Sequence, residues 1–252
     1  MADITPEILK DLAPTGALRA AINQGNGVMV QRDPAGGRPK GITIELADEL
    51  GRRLGVPVEL VLFDSAGEVF AALKDQSWDV AFLAIEPVRA AEIEFTSPYV
   101  LIEGAYMVRR DSPLKETGDV DRPGVRIAVG KNSAYDLYLS RTIKNAEIVR
   151  AETGGGQASI DLFFEQGLEV AAGVRQPLVE YAKTDPNVRV MDRAFMAIQQ
   201  AMGTPKGRLA GVAYLKSFIE ERKAAGFVAD ALRRTNQPDA RVAPPSANQT
   251  SS

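Results

Sequence analysis

The chain has 252 residues, 45% of them hydrophobic and 25% charged, with 30 Lys+Arg against 33 Asp+Glu and a formal net charge of -3. That balance offers no basic excess for a nucleic-acid backbone, and the length suits two lobes sharing one chain better than a single core. With neither cysteine nor histidine, thiol nucleophiles, disulfides, thiolate metal sites and imidazole bases are excluded.

Met1 to Gly16 is acidic and lacks the apolar core of a secretion signal, and no stretch approaches the roughly 18 apolar residues of a membrane span. The compartment reads two ways: cytoplasmic if this is the native chain, periplasmic if it is a mature form with an added Met. Ala17–Ile22 is a short apolar strand behind the turn Pro14-Thr15-Gly16. Val28–Gln31 and Lys40–Thr43 read as extended segments flanking the bend Asp33-Pro34-Ala35-Gly36-Gly37. Leu46, Leu50 and Leu54 recur at helical spacing, with Gly55 as the closing residue. Val56–Phe63 is a strand, Val69, Phe70 and Leu73 give a helix face, and Trp78–Ile85 is a continuous apolar strand of the kind buried on both faces of a parallel sheet.

A second β-α unit follows the strand-like connector Val100–Arg109. Strands are expected at Val125–Val129, Glu147–Arg150, Glu169–Val174 and Val188–Met191. Helices are expected at Ala134–Arg141, Gln157–Gln166 and Pro177–Lys183. Gly154-Gly155-Gly156 reads as a surface turn. After Phe195–Gly203, two helices close the fold, one with the stripe Leu209, Val212, Leu215, Ile219 and one over Phe227–Arg234. The tail from Gln237, rich in Pro, Ser, Asn and Gln, is expected to be disordered.

In open parallel sheets, ligands lie at the carboxyl ends of the strands. Those ends carry Asn23 and Asn26, Asp64 and Ser65, the run Glu86-Pro87-Val88-Arg89, the turn Lys131-Asn132-Ser133, and Arg175-Gln176. An Arg facing a helix N-terminus makes a carboxylate site, because the guanidinium fork binds both oxygens. Plainer roles stand beside these: Ser133 as an N-cap, Arg175 as a partner of Glu180, Glu86 as a helix-dipole group. Gly124–Asn132 misses the phosphate-loop spacing by one residue and has Asn132 where Ser or Thr would hold magnesium. No cofactor or metal is called for.

The stretch Trp78–Arg89, running on to Glu94-Phe95-Thr96-Ser97-Pro98-Tyr99, resembles the family 3 extracellular solute-binding proteins that serve ABC importers of polar amino acids. Gly16–Arg19, Lys40–Ala47, Val125–Ser133 and Gly226-Phe227 add weaker matches, so that the resemblance runs from about Pro14 to Thr235. It implies a two-lobed α/β Venus flytrap of the type II periplasmic-binding-protein kind, with two doubly wound sheets joined by hinge strands near Val100–Ala105 and Asp192–Gln199. Lobe 1 would comprise residues 1–101 and 197–252, and lobe 2 residues 102–196. Arg89 matches the family's carboxylate-clamping Arg, Ala84 and Ile85 lie near the backbone groups that contact the ligand, and Asn132 and Ser133 match the turn that holds the carboxylate from the other side.

Two departures stand out: Glu86 replaces the usual Thr, and Val174, followed by Arg175, stands where an Asp normally holds the ligand's amine. The added Arg175 suggests a second anionic group or a ligand without an ammonium; Glu86 could instead take over the ammonium, and Gln199 or Gln200 could add amide contacts. The resemblance thus implies a non-catalytic, monomeric binder of a small carboxylate-bearing solute, with an ABC transporter permease as a further partner and no nucleic acid. The alternatives are a dehydratase-like enzyme on the same scaffold, with Glu86 as its acid or base, and a cytoplasmic sensor or scavenger.

Overall fold

The structure is a computed structural model that describes residues 3–152 and 156–246. The chain opens with helix α1 (Pro6–Leu12), capped by the Thr5 hydroxyl. Strand β1 (Leu18–Asn23) follows, then helix α2 (Ile42–Leu54). The segments flanking the bend at Asp33 form no strand pair beyond an isolated bridge between Gln31 and Lys40, with Thr43 N donating to Met29 O at 3.4 Å, and the second of them turns into α2 at Ile42. In α2, Leu46, Ala47 and Leu50 are fully buried and Leu54 nearly so. Gly55 ends it in the left-handed region at φ 71°, a conformation that costs a residue without Cβ little.

Strand β2 (Val58–Phe63), helix α3 (Ala66–Ala71) and strand β3 (Val80–Ala84) complete the first unit. All five residues of β3 are buried, as a strand covered on both faces requires. The four-residue helix α4 (Pro87–Ala90) and the short β4 (Ile93–Phe95) lead into the ten-residue β5 (Val100–Arg109). The second unit runs β6 (Arg126–Gly130), α5 (Ala134–Thr142), β7 (Glu147–Ala151), α6 (Gly156–Glu165), β8 (Val170–Val174), α7 (Arg175–Thr184) and β9 (Val188–Val190). The chain returns through the ten-residue β10 (Met196–Pro205) and ends in α8 (Leu209–Ala224), α9 (Phe227–Arg234) and the two-residue β11 (Arg241–Val242).

Among the described residues the strands form one hydrogen-bonded path, β2-β1-β3-β10-β5-β8-β6-β7, with β4, β9 and β11 attached at its side. The two α/β lobes are its ends: β1, β2 and β3 pair in parallel on one side, β6, β7 and β8 on the other. The long antiparallel strands β5 and β10 join them. The first half of β10 pairs with β5 and the second half with β3 and β4, while the far half of β5 pairs with β8. The two sheets expected from the sequence are therefore fused through their connectors.

Helix α1 and the start of α8 meet in the first lobe. The Asp11 carboxylate accepts from Gly211 N at 2.9 Å, and Arg208 donates to the Asp11 carbonyl at 2.6 Å. Asp79, fully buried, takes the Arg19 guanidinium at 2.8 Å and that of Arg208 at 2.9 Å.

The tail corrects one expectation. β11 pairs with β5, Ala243 N donates to Tyr99 O at 3.0 Å, and Lys223 donates to the carbonyls of Pro98 and Pro244. The chain is held in place as far as Ser246, whose N–H donates to Glu220. The remainder of the expected disordered tail, and Gly154 and Gly155 of the glycine turn, lie outside the described residues.

Candidate functional site

The site forms where the carboxyl ends of the strands of both lobes face one another. Glu86 is the N-cap of α4 and Pro87 its first residue, a position where the missing N–H costs nothing. One turn on, Arg89 is carried inward and left 1% exposed. Its Nη1 donates to the Ala84 carbonyl at 3.0 Å, and its Nη2 crosses to the other lobe and donates to the Asn132 carbonyl at 2.9 Å. Asn132 presents that carbonyl from the turn between β6 and α5, where it takes the left-handed conformation at φ 57°, which Asn adopts more readily than most residues.

A guanidinium can donate five hydrogen bonds, and the structure gives Arg89 these two. Among the described residues no carboxylate is within ion-pair distance of it. The other buried charges differ: Asp79 has two arginines, Asp136 has Arg150, and Glu86 has Arg141. Burial draws the Arg89 pKa down to about 10, with Glu86 only partly opposing. It stays charged at neutral pH, so a buried cation stands without an anion among the described residues, an arrangement that costs free energy unless an anion joins it.

Arg89 lines a cavity that, with its open mouth included, encloses about 640 Å³ of space. The first lobe contributes Asn23, Gly25, Asn26, Ser65, Ala66 and Ala84 to its wall, and the second Lys131, Ser133, Ala134, Tyr135, Gly156, Val174 and Pro177. Ile198 and Gln200 line it from β10. Ser133 caps α5, its Oγ accepting from Asp136 N at 3.1 Å. Burial pushes the Tyr135 hydroxyl pKa up.

Three further contacts bring the lobes together around this cavity. Gly156 N donates to Gly25 O at 3.3 Å. Arg141 of α5 pairs with Glu86 at 2.5 Å. Gly67 of α3 lies so near the Asn132 turn that a Cβ on it would be 2.8 Å from the Asn132 Cβ. The arrangement is closed.

Of the residues singled out from the sequence, Arg89, Ala84, Asn23, Asn26 and Ser133 line this one cavity, and Asn132 reaches Arg89 through its carbonyl. Four others are placed elsewhere. Ile85 donates its N–H to Gln199 O at 2.9 Å, tying β3 to β10, and does not line the cavity. Glu86 is engaged by Arg141. Arg175 turns to the connecting strands, donating to Glu103 at 2.7 Å and to the carbonyls of Met191 and Asp192, while Glu180 pairs with Lys183. Gln199 is exposed and Gln200, 5% exposed, faces the cavity in its place. Tyr135, Pro177 and Ile198 were missed; the alternation of Ile198, Gln200 and Met202 along β10 is the signal that could have found the inward face there.

An α/β fold of two lobes on two long connecting strands, with a buried cation in the cleft, defines a two-lobed ligand-binding protein. The chain belongs to the bacterial extracellular solute-binding proteins, family 3, whose family model matches residues 18–235. No curated protein matches it. Solved structures share the fold: a mutant of ArgBP from T. maritima is 18% identical with TM-score 0.76, covering 91% of this chain and 99% of that one. The ancestral amino acid-binding protein AncCDT-1, described as a precursor of cyclohexadienyl dehydratase, is 21% identical with TM-score 0.74, covering 90% and 98%. A putative binding component of an ABC transporter from Wolinella succinogenes DSM 1740, complexed with lysine, is 18% identical with TM-score 0.74, covering 87% and 95%.

Proposed function

We propose that the protein binds a small carboxylate-bearing solute between its lobes without transforming it, as the solute-binding component of an ABC-type importer. The observation that carries this reading is Arg89: a buried guanidinium with no carboxylate partner among the described residues, lining the interlobe cavity with donors to spare. A carboxylate there would complete the charge pair, and its second side would meet the Ser133 turn at the start of α5, where free N–H groups favour an anion. Arg89 already reaches the Asn132 carbonyl across the cleft, so ligand capture and lobe closure would share one group. A sheet joined through two long strands is suited to closure by hinge motion, which would hide the solute from water and give a transporter permease a distinct shape to recognise. The importer assignment draws on family membership and on neighbours described as ABC transporter components.

The enzyme alternative, for which the dehydratase precursor among the neighbours is the reason, would need a proton-transfer group in the cavity. Glu86, its sequence candidate, is held by Arg141 and does not line the cavity, which favours binding alone. Calorimetric titration of each of a set of small carboxylic acids beside its own primary amide tests the reading. An acid should bind while its amide, of the same shape and without charge, binds at least 100-fold more weakly. Equal binding of acid and amide would remove the role of Arg89.

A further inference from the structure

The cavity's remaining groups bear on what else the solute carries. No side-chain carboxylate lines it, and none of the residues outside the description is Asp or Glu. Of the acids near its lining residues, Glu86 pairs with Arg141, Glu152 with Lys131, Asp64 with Arg32, Asp136 with Arg150 and Glu180 with Lys183, while Glu68 is exposed and accepts from Asp64 N at 2.9 Å. The two charged side chains that do line it, Arg89 and Lys131, are both cations. An ammonium taken from water into such a site would lose its hydration without gaining a counter-charge. It also presents donors only, where Arg89, Lys131 and the Asn23 amide already supply donors. The Asn23 amide is oriented by its Oδ1, which accepts from Gly25 N at 3.0 Å, so its NH2 is left to donate. Gln200, nearly buried, makes no side-chain hydrogen bond among the described residues, so its NH2 is free to donate, as its oxygen is to accept. At the end of β8 the wall is aliphatic, with Val174 and the N–H-free Pro177.

Resting on the reading of Arg89 as the carboxylate clamp, we infer that the solute is a small organic acid without an ammonium group, with an uncharged acceptor oxygen (a 2-oxo or 2-hydroxy acid) where an amino acid carries its amine. The oxygen would accept from the side-chain amides of Asn23 and Gln200, and the acid's short apolar body would meet Val174, Pro177 and Ile198.

The test is calorimetric titration of matched sets that share a side chain: pyruvate, L-lactate and L-alanine; 2-oxoisovalerate, 2-hydroxyisovalerate and L-valine; 2-oxoglutarate, 2-hydroxyglutarate and L-glutamate. In at least one set the oxo or hydroxy acid should bind at least tenfold more tightly than the amino acid, and Arg89→Ala should abolish the binding. In Val174→Asp, which places a carboxylate at the end of β8, the preference for the oxo acid over its amino acid should fall at least tenfold. If the amino acid binds as well or better and Arg89→Ala abolishes it, the inference is overturned while the clamp stands. If no set binds, or Arg89→Ala leaves binding unchanged, the clamp and the inference fall together. The preference of the unaltered protein decides the inference even if Arg89→Ala fails to fold.

Discussion

Gly67 gives the sharpest handle on closure. It lies in α3 of the first lobe, and an ideal Cβ there would be 2.8 Å from the Asn132 Cβ and 3.5 Å from its Nδ2. Carbon atoms in contact settle at about 3.5–4.0 Å, so Gly67→Ala would force the Asn132 turn back by about 0.7 Å or more. Overpacking of this kind costs about 1–3 kcal/mol. If the contact exists only when the lobes are shut, the whole cost falls on the closed form. The open form would instead gain up to about 1 kcal/mol from replacing a helical glycine. Apparent solute affinity should then fall about 5- to 150-fold, since 1.4 kcal/mol is a factor of ten, while the thermal midpoint without solute is unchanged or raised. Titration calorimetry reads the first quantity, thermal unfolding the second, and small-angle scattering should show a larger radius of gyration. An unchanged Kd with a lowered midpoint would refute the reasoning, because it would make the Gly67–Asn132 contact permanent packing.

Other outcomes follow from the same structure. Arg141→Ala leaves the nearly buried Glu86 unpaired only when the lobes are shut; with Arg141 itself 43% exposed, the loss lies between that of a surface pair and a buried one, about 1–2 kcal/mol. It should weaken solute binding roughly 5- to 30-fold, and a double-mutant cycle with Glu86→Gln should show the coupling. Asp79→Asn strands two arginines on a fully buried position and should lower the thermal midpoint by about 6–12 °C, from about 3 kcal/mol. Gly41→Ala would set a Cβ 2.3 Å from the Met29 carbonyl at φ 127°, and should destabilise by more than 2 kcal/mol on denaturant unfolding. Arg126 holds the Glu169 carboxyl below its usual range despite partial burial. The stability this gives is complete above the ordinary glutamate pKa and is lost as pH falls through the lowered value. Glu169→Gln should therefore lessen the acid-side decline of the midpoint.

The parts of this fold that were legible in the sequence are those with a strong local pattern. The leucine stripe of α2 and the apolar run of β3 lie where periodicity puts them, because each buries its apolar face in the core whatever the rest of the chain does. Helix α1 escaped notice because it is seven residues long and buries only Ile8 and Leu12, although Thr5-Pro6 is a helix-start pattern. A two-residue strand such as β11 has no period to detect, and its order comes from the side of β5 that it covers.

Within the site, Arg89 was found through a motif, but the roles of its neighbours depended on distant partners. Glu86 meets Arg141 55 positions away, and Arg175 meets Glu103 72 positions away; no local spacing encodes either pair. The choice left open between Gln199 and Gln200 turns on strand parity: side chains alternate across a strand, so one residue separates the cavity from the solvent.

The claim that Arg89 holds a solute carboxylate between the lobes is tested most directly by thermal unfolding of the protein and of Arg89→Ala, each with and without every acid of the panel. An acid at 100 times its Kd should add about 2.7 kcal/mol, which raises the midpoint by roughly 5–11 °C for a domain of this size. The rise should appear in the parent and be absent in Arg89→Ala. The same rise in both proteins, or in neither, would contradict it.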